Sequence, residues 1–264
     1  MDYSKNVLSY LAVKHQGDWD MILKNVTALS EEDRMCSDYP IELPCKTLTI
    51  LDRRYPNPLR NIVKPPFVLF YYGDISLIEN YEKCLAVVGT REPTQAGLDN
   101  LEKIIKGLSK DIVIVSGLAR GIDTHAHKCA IKYGLKTVAV LGTGIDVCYP
   151  SENYELYKMM KESHLVLSEY PIKTITDQYH FPYRNRIISG LSKTVLIPEA
   201  SMPSGTLITA NFALYQNRDV CCIPGVPGTN SLCNILIQEG AELVETAQDV
   251  MDVMSFGKLL FRLK

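Results

Sequence analysis

Four arginines set beside glycines and small hydroxyl residues are the positions where this chain could do chemistry. Arg91 follows Gly89 and Thr90, Arg120 stands between Ala119 and Gly121 just after Ser116 and Gly117, and Arg184 and Arg186 flank Asn185. A guanidinium offers a planar fork matched to phosphate oxygens, and glycine lets backbone amides approach an anion closely. A helix opening near Gly121 would add unpaired N–H groups and the positive end of its dipole. Ser204, Gly205 and Thr206 precede an apolar helical run and repeat that arrangement as a second helix-terminus anion site. The chemistry read from these residues is anion binding.

Each group also has a plainer use. Arg91 could cap a sheet end, Ser204 could be an ordinary N-cap, and a distant Glu169 or Glu199 could pair with Arg184 or Arg186. No acidic residue lies between His180 and Lys193, which favours an anion over a local salt bridge for the last two arginines.

Other chemistries fit poorly. The sequence has no GxxxxGK[ST] phosphate loop and no GxSxG elbow, and its glycines depart from the GxGxxG of dinucleotide binders. His125 and His127 are two apart, which on a helix points them to different faces, so no metal pair is read there. Eight cysteines occur without a CxxC pair, several inside apolar runs where a thiol packs as a small hydrophobe, so neither a disulfide framework nor structural zinc is expected. No cofactor is implied.

These loops follow regularly spaced apolar runs. The strands expected are Leu85 to Val88, Ile112 to Val115, Thr137 to Leu141, Leu165 to Leu167, Thr194 to Ile197, Val220 to Ile223 and a short Glu242 to Val244, alternating with amphipathic helical stretches. That alternation calls for a Rossmann-like, doubly wound, mostly parallel α/β sheet covered on both faces. Ligands of such sheets bind beyond the carboxyl ends of the strands, which is where the arginine loops fall. Ahead of the sheet, Val7, Leu8, Leu11 and Ala12 have helical spacing, a second helix is expected around Trp19 to Val26, and Ser30 with Asp33 resembles a capping box. Residues 45–73, with Pro56, Pro58, Pro65 and Pro66, read as a connector ending in a short strand at Val68 to Tyr72. The division expected is a small helical N-terminal region (1–50), an extended Rossmann-like domain (51–254) and a C-terminal tail (255–264).

The 264 residues are 46% hydrophobic with net charge -2, enough for a real core, and any nucleic-acid contact must come from a local cationic cluster. No stretch approaches the length of a membrane span and the N-terminus lacks a signal-peptide pattern, so a soluble cytoplasmic protein is expected.

With these motifs laid out, the chain resembles the DNA-processing protein A (DprA/Smf) family. The resemblance rests on GTREPT (89–94), SGLARGID (116–123) followed by Ala126 and His127, AVLGTGIDVCYPSEN (139–153), SEYP (168–171), FPYRNRIISGLS (181–192), PEASMPSGTLITA (198–210) and a later GTN and LIQEGA, in the family's order from about Tyr55 to Asp249. It implies a non-enzymatic protein that binds single-stranded DNA and helps load the RecA recombinase in natural transformation (competence) or related recombination, acting as a homodimer through the Rossmann-like domain. It implies a basic pocket on Arg91, Arg120, Arg184 and Arg186, with Ser116, Gly117, Gly121, Ser204, Gly205 and Thr206 as donors, and base stacking from Phe181, Tyr183 or Tyr149. The chain departs from the family in Ala96, where a Tyr is usual, and in a shortened link from IPG to GTN. Its N-terminal piece is too short for a full helix-hairpin-helix module and no winged-helix extension follows, so a minimal version is expected.

Two other readings of the same crevice stay open. A phosphoribohydrolase-like enzyme would resemble PGGxGTxxE, but Leu232 stands where the Glu would be in GVPGTNSL, leaving Glu169 and Glu199 as the strand-end carboxylates. A nucleotide sensor would bind a mononucleotide without an oligonucleotide.

Overall fold

The computed structural model describes residues 3–37 and 41–256. Three helices come first: α1 (Tyr3–Lys14), α2 (Trp19–Thr27) and α3 (Glu31–Cys36). Then come β1 (Lys46–Thr49), α4 (Asn57–Arg60), β2 (Val68–Gly73), β3 (Cys84–Val87), α5 (Gln95–Gly107), β4 (Val113–Ser116), α6 (Ile122–Lys132), β5 (Lys136–Leu141), α7 (Tyr154–Ser163) and β6 (Leu165–Ser168). The last part holds α8 (His180–Gly190), β7 (Thr194–Ile197), α9 (Thr206–Tyr215), β8 (Asp219–Cys222), α10 (Leu232–Gln238), β9 (Glu242–Leu243) and α11 (Ala247–Phe256). No helix among the described residues is long and apolar enough to cross a membrane.

The strands form one nine-stranded sheet in the order β1-β2-β6-β5-β4-β3-β7-β8-β9. From β6 to β9 all neighbours are parallel, while β2 runs antiparallel to both β1 and β6. The chain winds from β3 outward to β6, then crosses back to lay β7 beside β3. This reversal is the topological switch point, where doubly wound sheets open a crevice.

Side chains alternate between the two faces with the strand period of two. In β3, Cys84 and Ala86 join the layer under α4, α8, α9 and α10, whereas Leu85 and Val87 join the layer under α5, α6 and α11. Both faces are covered, which explains why the strands read as unbroken apolar runs.

Two features depart from the division expected from sequence. The 45–73 segment is not merely a connector: its prolines stand outside the strands, at the start of α4 and just before β2, leaving β1 and β2 to extend the sheet. The N-terminal helices lie on that same sheet, with Val7, Leu8, Leu11 and Ile22 sharing a buried cluster with Val68, Phe70, Ala139, Leu141 and Val166. A fully buried Leu such as Leu11 contributes roughly 1.5–3 kcal/mol, so these helices are fastened by packing. Half of the capping box forms: Ser30 Oγ accepts from Asp33 N at 3.1 Å, while the Asp33 carboxylate accepts from the Ser30 hydroxyl at 2.7 Å. The expected tail lies, beyond Phe256, outside the described residues.

Candidate functional site

At the switch point a crevice of about 460 Å³ opens between the loops after β3 and β7. Gly89, Thr90 and Arg91 form one wall, Ser204, Gly205 and Thr206 another, and Phe181, Arg184 and Asn185 of α8 close a third. A smaller cavity of about 40 Å³, lined by Gly117, Arg120, Tyr149 and Pro150, shares Arg91, Ala119, Phe181 and Arg184 with it, so the two form one trough.

Glycine is required at two positions of this wall. Gly121 has φ +75°, and a Cβ there would lie 2.4 Å from the carbonyl oxygen of Thr90. At Gly117 a Cβ would lie 2.5–2.7 Å from the Arg184 guanidinium. The first lets α6 start hard against the β3 loop, and the second leaves room for a buried cation.

The helix termini hold fewer spare amides than the sequence suggests. At α6, Ile122 N donates to the Thr90 carbonyl at 3.1 Å and Thr124 N to the Ala119 carbonyl at 3.1 Å. Gly117 N donates to Asp123 Oδ2 at 3.0 Å, and the Ser116 hydroxyl is buried and donates to the Val87 carbonyl at 2.6 Å. At α9 the N-cap is Gly205, not Ser204; Ser204, one residue ahead of it, accepts through Oγ from Thr206 N at 3.1 Å in a local turn. What these termini still offer is dipole, the Gly205 opening and the Thr206 hydroxyl at the wall, more than a nest of free N–H groups.

The four arginines occupy four different environments. Arg91 is exposed, lines both cavities and has no hydrogen-bond or ion-pair partner among the described residues. Arg120 is exposed at the edge and pairs with Glu152 at 2.6 Å. Arg184 is buried, and its Nη1 donates to the carbonyls of Gly117, at 2.7 Å, and Val140. Burial pushes this guanidinium down to about 10, against the pull of nearby Asp123. Burial likewise raises the Asp123 carboxyl, opposed by Arg184.

Arg186 does not reach the trough. Only 1% exposed, it sends Nη2 to both oxygens of Glu169 at 2.7 and 2.8 Å and lies 3.9 Å over the ring of Tyr183. The expectation of two adjacent phosphate-binding arginines on α8 is corrected here. Two residues of helix turn the side chain by about 200°, so Arg184 and Arg186 face opposite sides.

Both strand-end carboxylates are engaged. Glu169 is taken by Arg186, and burial raises its carboxyl against that pull. Glu199 accepts from Thr94 N at 3.1 Å and Thr94 Oγ1 at 2.9 Å, at the start of α5.

Of the three aromatic candidates, Tyr149 and Phe181 border the trough, their ring centroids 5.2 Å apart and tilted by 44°. Tyr183 faces a separate cleft beside the N-terminal helices. Sequence reading passed over Asp123 and Asn153. Asn153 donates to the Leu118 carbonyl at 2.9 Å and to Thr124 Oγ1 at 2.7 Å, bracing the arginine loop. Their position inside the glycine motifs was the only signal for them.

A family model described as DNA recombination-mediator protein A matches residues 46–255. The DNA processing protein DprA of Streptococcus pneumoniae is 47% identical over 212 residues, 80% of this chain and 74% of that protein. Its counterpart in Bacillus subtilis is 41% identical over 214 residues, 78% and 70% of the two chains. An X-ray structure of the Streptococcus pneumoniae protein superposes with a TM-score of 0.81 at 37% identity, covering 97% of this chain and 99% of that one. A Helicobacter pylori DNA processing protein A structure, described for its single-stranded DNA binding mode, gives 0.72 at 26% identity, covering 81% and 96%.

Proposed function

This chain belongs to the DNA recombination-mediator protein A family, and on that premise we propose that its trough binds single-stranded DNA without catalysing a reaction on it. The observation that carries the reading is Arg91: an exposed guanidinium with no partner among the described residues, at the switch point, beside the Tyr149–Phe181 pair. A cation next to two aromatic faces suits a strand whose phosphates and bases are both accessible, and base stacking contributes about 1–3 kcal/mol per base regardless of sequence. The Helicobacter pylori relative, which binds single-stranded DNA, supports the same ligand here.

In this reading the bound strand is protected and handed to a RecA-class recombinase in competence or recombination. The protein acts as a homodimer in the cytoplasm, and no cofactor takes part. The engagement of Glu169 by Arg186 and of Glu199 by Thr94, together with Leu232, supports a binding role over nucleotide hydrolysis, because neither carboxylate stands ready as a general acid or base.

A mobility-shift experiment with an unstructured thymidine oligonucleotide, its duplex and a nucleoside monophosphate competitor, at two ionic strengths, tests this. The expected result is a single-strand shift that exceeds the duplex shift, weakens with salt and resists the mononucleotide. No single-strand shift, or full competition by the mononucleotide, would overturn the reading.

A further inference from the structure

Away from the trough, three metal-ligating side chains converge between α5 and α6. His125 and Cys129 stand four residues apart on α6, so one helical turn brings them to the same face. Glu102 of α5 faces them, and one ligand atom from each of the three lies within 4.8 Å of the other two. The geometry points to a site for a zinc-class divalent ion that staples α5 to α6 through Glu102, His125 and Cys129, with the fourth position left to solvent.

Distances support this. Tetrahedral zinc with bonds of about 2.3 Å to sulfur and about 2.0–2.2 Å to nitrogen and oxygen sets its ligand atoms roughly 3.3–3.6 Å apart. Cys129 Sγ and His125 Nε2 are already 3.3 Å apart. The carboxylate needs to travel only about an ångström to close the triad, and its side chain, 29% exposed, has room to do so.

The donor set selects the ion. A thiolate and an imidazole favour zinc, cobalt or copper, whereas magnesium and calcium prefer oxygen alone. The carboxylate is already held in place, its Oε1 accepting from Lys132 Nζ at 2.6 Å and from the Tyr133 hydroxyl at 2.5 Å. Outer partners of this kind aim a metal ligand.

Loading the ion balances simply. The Cys129 thiol gives up its proton to solvent as the sulfur–metal bond forms; the Nε2 proton that His125 points at the Leu98 carbonyl, 3.2 Å away, is lost to solvent while Nδ1 takes one up, so the ring stays neutral and Nε2 is freed for the metal. Two anionic ligands then neutralise a dication. The clamped helix is the one that begins at Gly121, so a bound ion also steadies the rim of the trough.

Cobalt(II) is the probe, because a thiolate ligand gives it a charge-transfer absorption that an oxygen-only site cannot. The full chain titrated with cobalt should develop this band to one equivalent, together with the visible bands of a four-coordinate ion. Cys129→Ser should abolish the charge-transfer band, and His125→Ala should weaken binding. Glu102→Gln, a half-buried change, keeps the proposal testable if Cys129→Ser fails to fold: in competition with a chromophoric chelator it should weaken zinc binding about tenfold or more. No charge-transfer band in the wild type, a band that persists in Cys129→Ser, or unchanged zinc affinity in Glu102→Gln would each overturn it.

Discussion

Replacing Arg91 and Arg186 separately should have different consequences, the first for affinity and the second for stability. Arg91 is exposed in the trough with no partner among the described residues, so Arg91→Ala removes a phosphate contact and leaves the fold alone. For a single strand each neutralised phosphate contributes a slope of about 0.7 in log affinity against log salt. The variant's slope should therefore be shallower by about 0.7, which between 50 and 200 mM salt is a relative difference of roughly 2.6-fold. Loss of one charge-assisted contact, at the low end of about 1.5 kcal/mol because the group is solvated, weakens binding roughly tenfold at low salt. Arg186→Met instead strands a buried Glu169 carboxylate, costing about 3–5 kcal/mol of stability. Adding Glu169→Leu should restore most of that loss, since a buried ion pair can be exchanged for apolar side chains at little net cost. The assay is fluorescence anisotropy of a labelled thymidine oligonucleotide over a salt series, with urea melts for stability. A folded Arg186→Met/Glu169→Leu protein whose slope falls by about 0.7 would refute the assignment, as would an unchanged slope in Arg91→Ala.

Gly117→Ala places a Cβ 2.5 Å from Arg184 Nη2, so the pinned guanidinium must leave its carbonyls; the expected loss is roughly 2–4 kcal/mol in urea melts with weaker oligonucleotide binding, and wild-type stability would show that Arg184 is not held there. His127 is fully buried with its ring nitrogen 2.6 Å from Thr137 Oγ1, and burial pushes it down to about 3. Its unfolded value is about 6.5, so below that pH the unfolded chain takes up a proton the native chain refuses, and stability falls as pH drops at up to about 1.4 kcal/mol per unit. His127→Gln should flatten that acid limb between pH 7 and 5, and an identical pH dependence in the two proteins would contradict it.

The strands were legible because burial on both faces demands unbroken apolar runs, and the runs at Leu85, Ile112, Thr137 and Thr194 become β3, β4, β5 and β7 within a residue or two. The arginine loops followed, since topology alone brings the carboxyl ends of β3, β4 and β7 together. Less legible was anything decided by a partner distant in sequence. Thr94 and Glu199 are 105 residues apart, and no local pattern announces that the carboxylate is tied to the start of α5. The consumption of the α6 amides by Thr90 and Ala119 is likewise set by how tightly two loops are packed. Arg186 is a different matter, because helical geometry already separates residues two apart, the same reasoning that divides His125 from His127.

The distribution of positive charge bears on what kind of anion the trough suits. A site for one phosphate concentrates donors on one point, as a helix terminus with several free amides does. Here the termini of α6 and α9 spend amides on their own loops, Arg120 is countered by Glu152, and Arg184 is committed to two carbonyls beside Asp123. The remaining attraction comes from Arg91, the field of Arg184 and two aromatic faces, spread along a trough of which no point offers a tight grip. A mononucleotide, with one phosphate and one base, could engage only part of it. A strand engages successive parts at once, so that weak contacts add and each further one costs less because the chain is already tethered. With the whole chain at a net charge of -2, long-range attraction is small and the local contacts must carry the affinity. Affinity should therefore rise steeply with oligonucleotide length until the trough is filled and then level off.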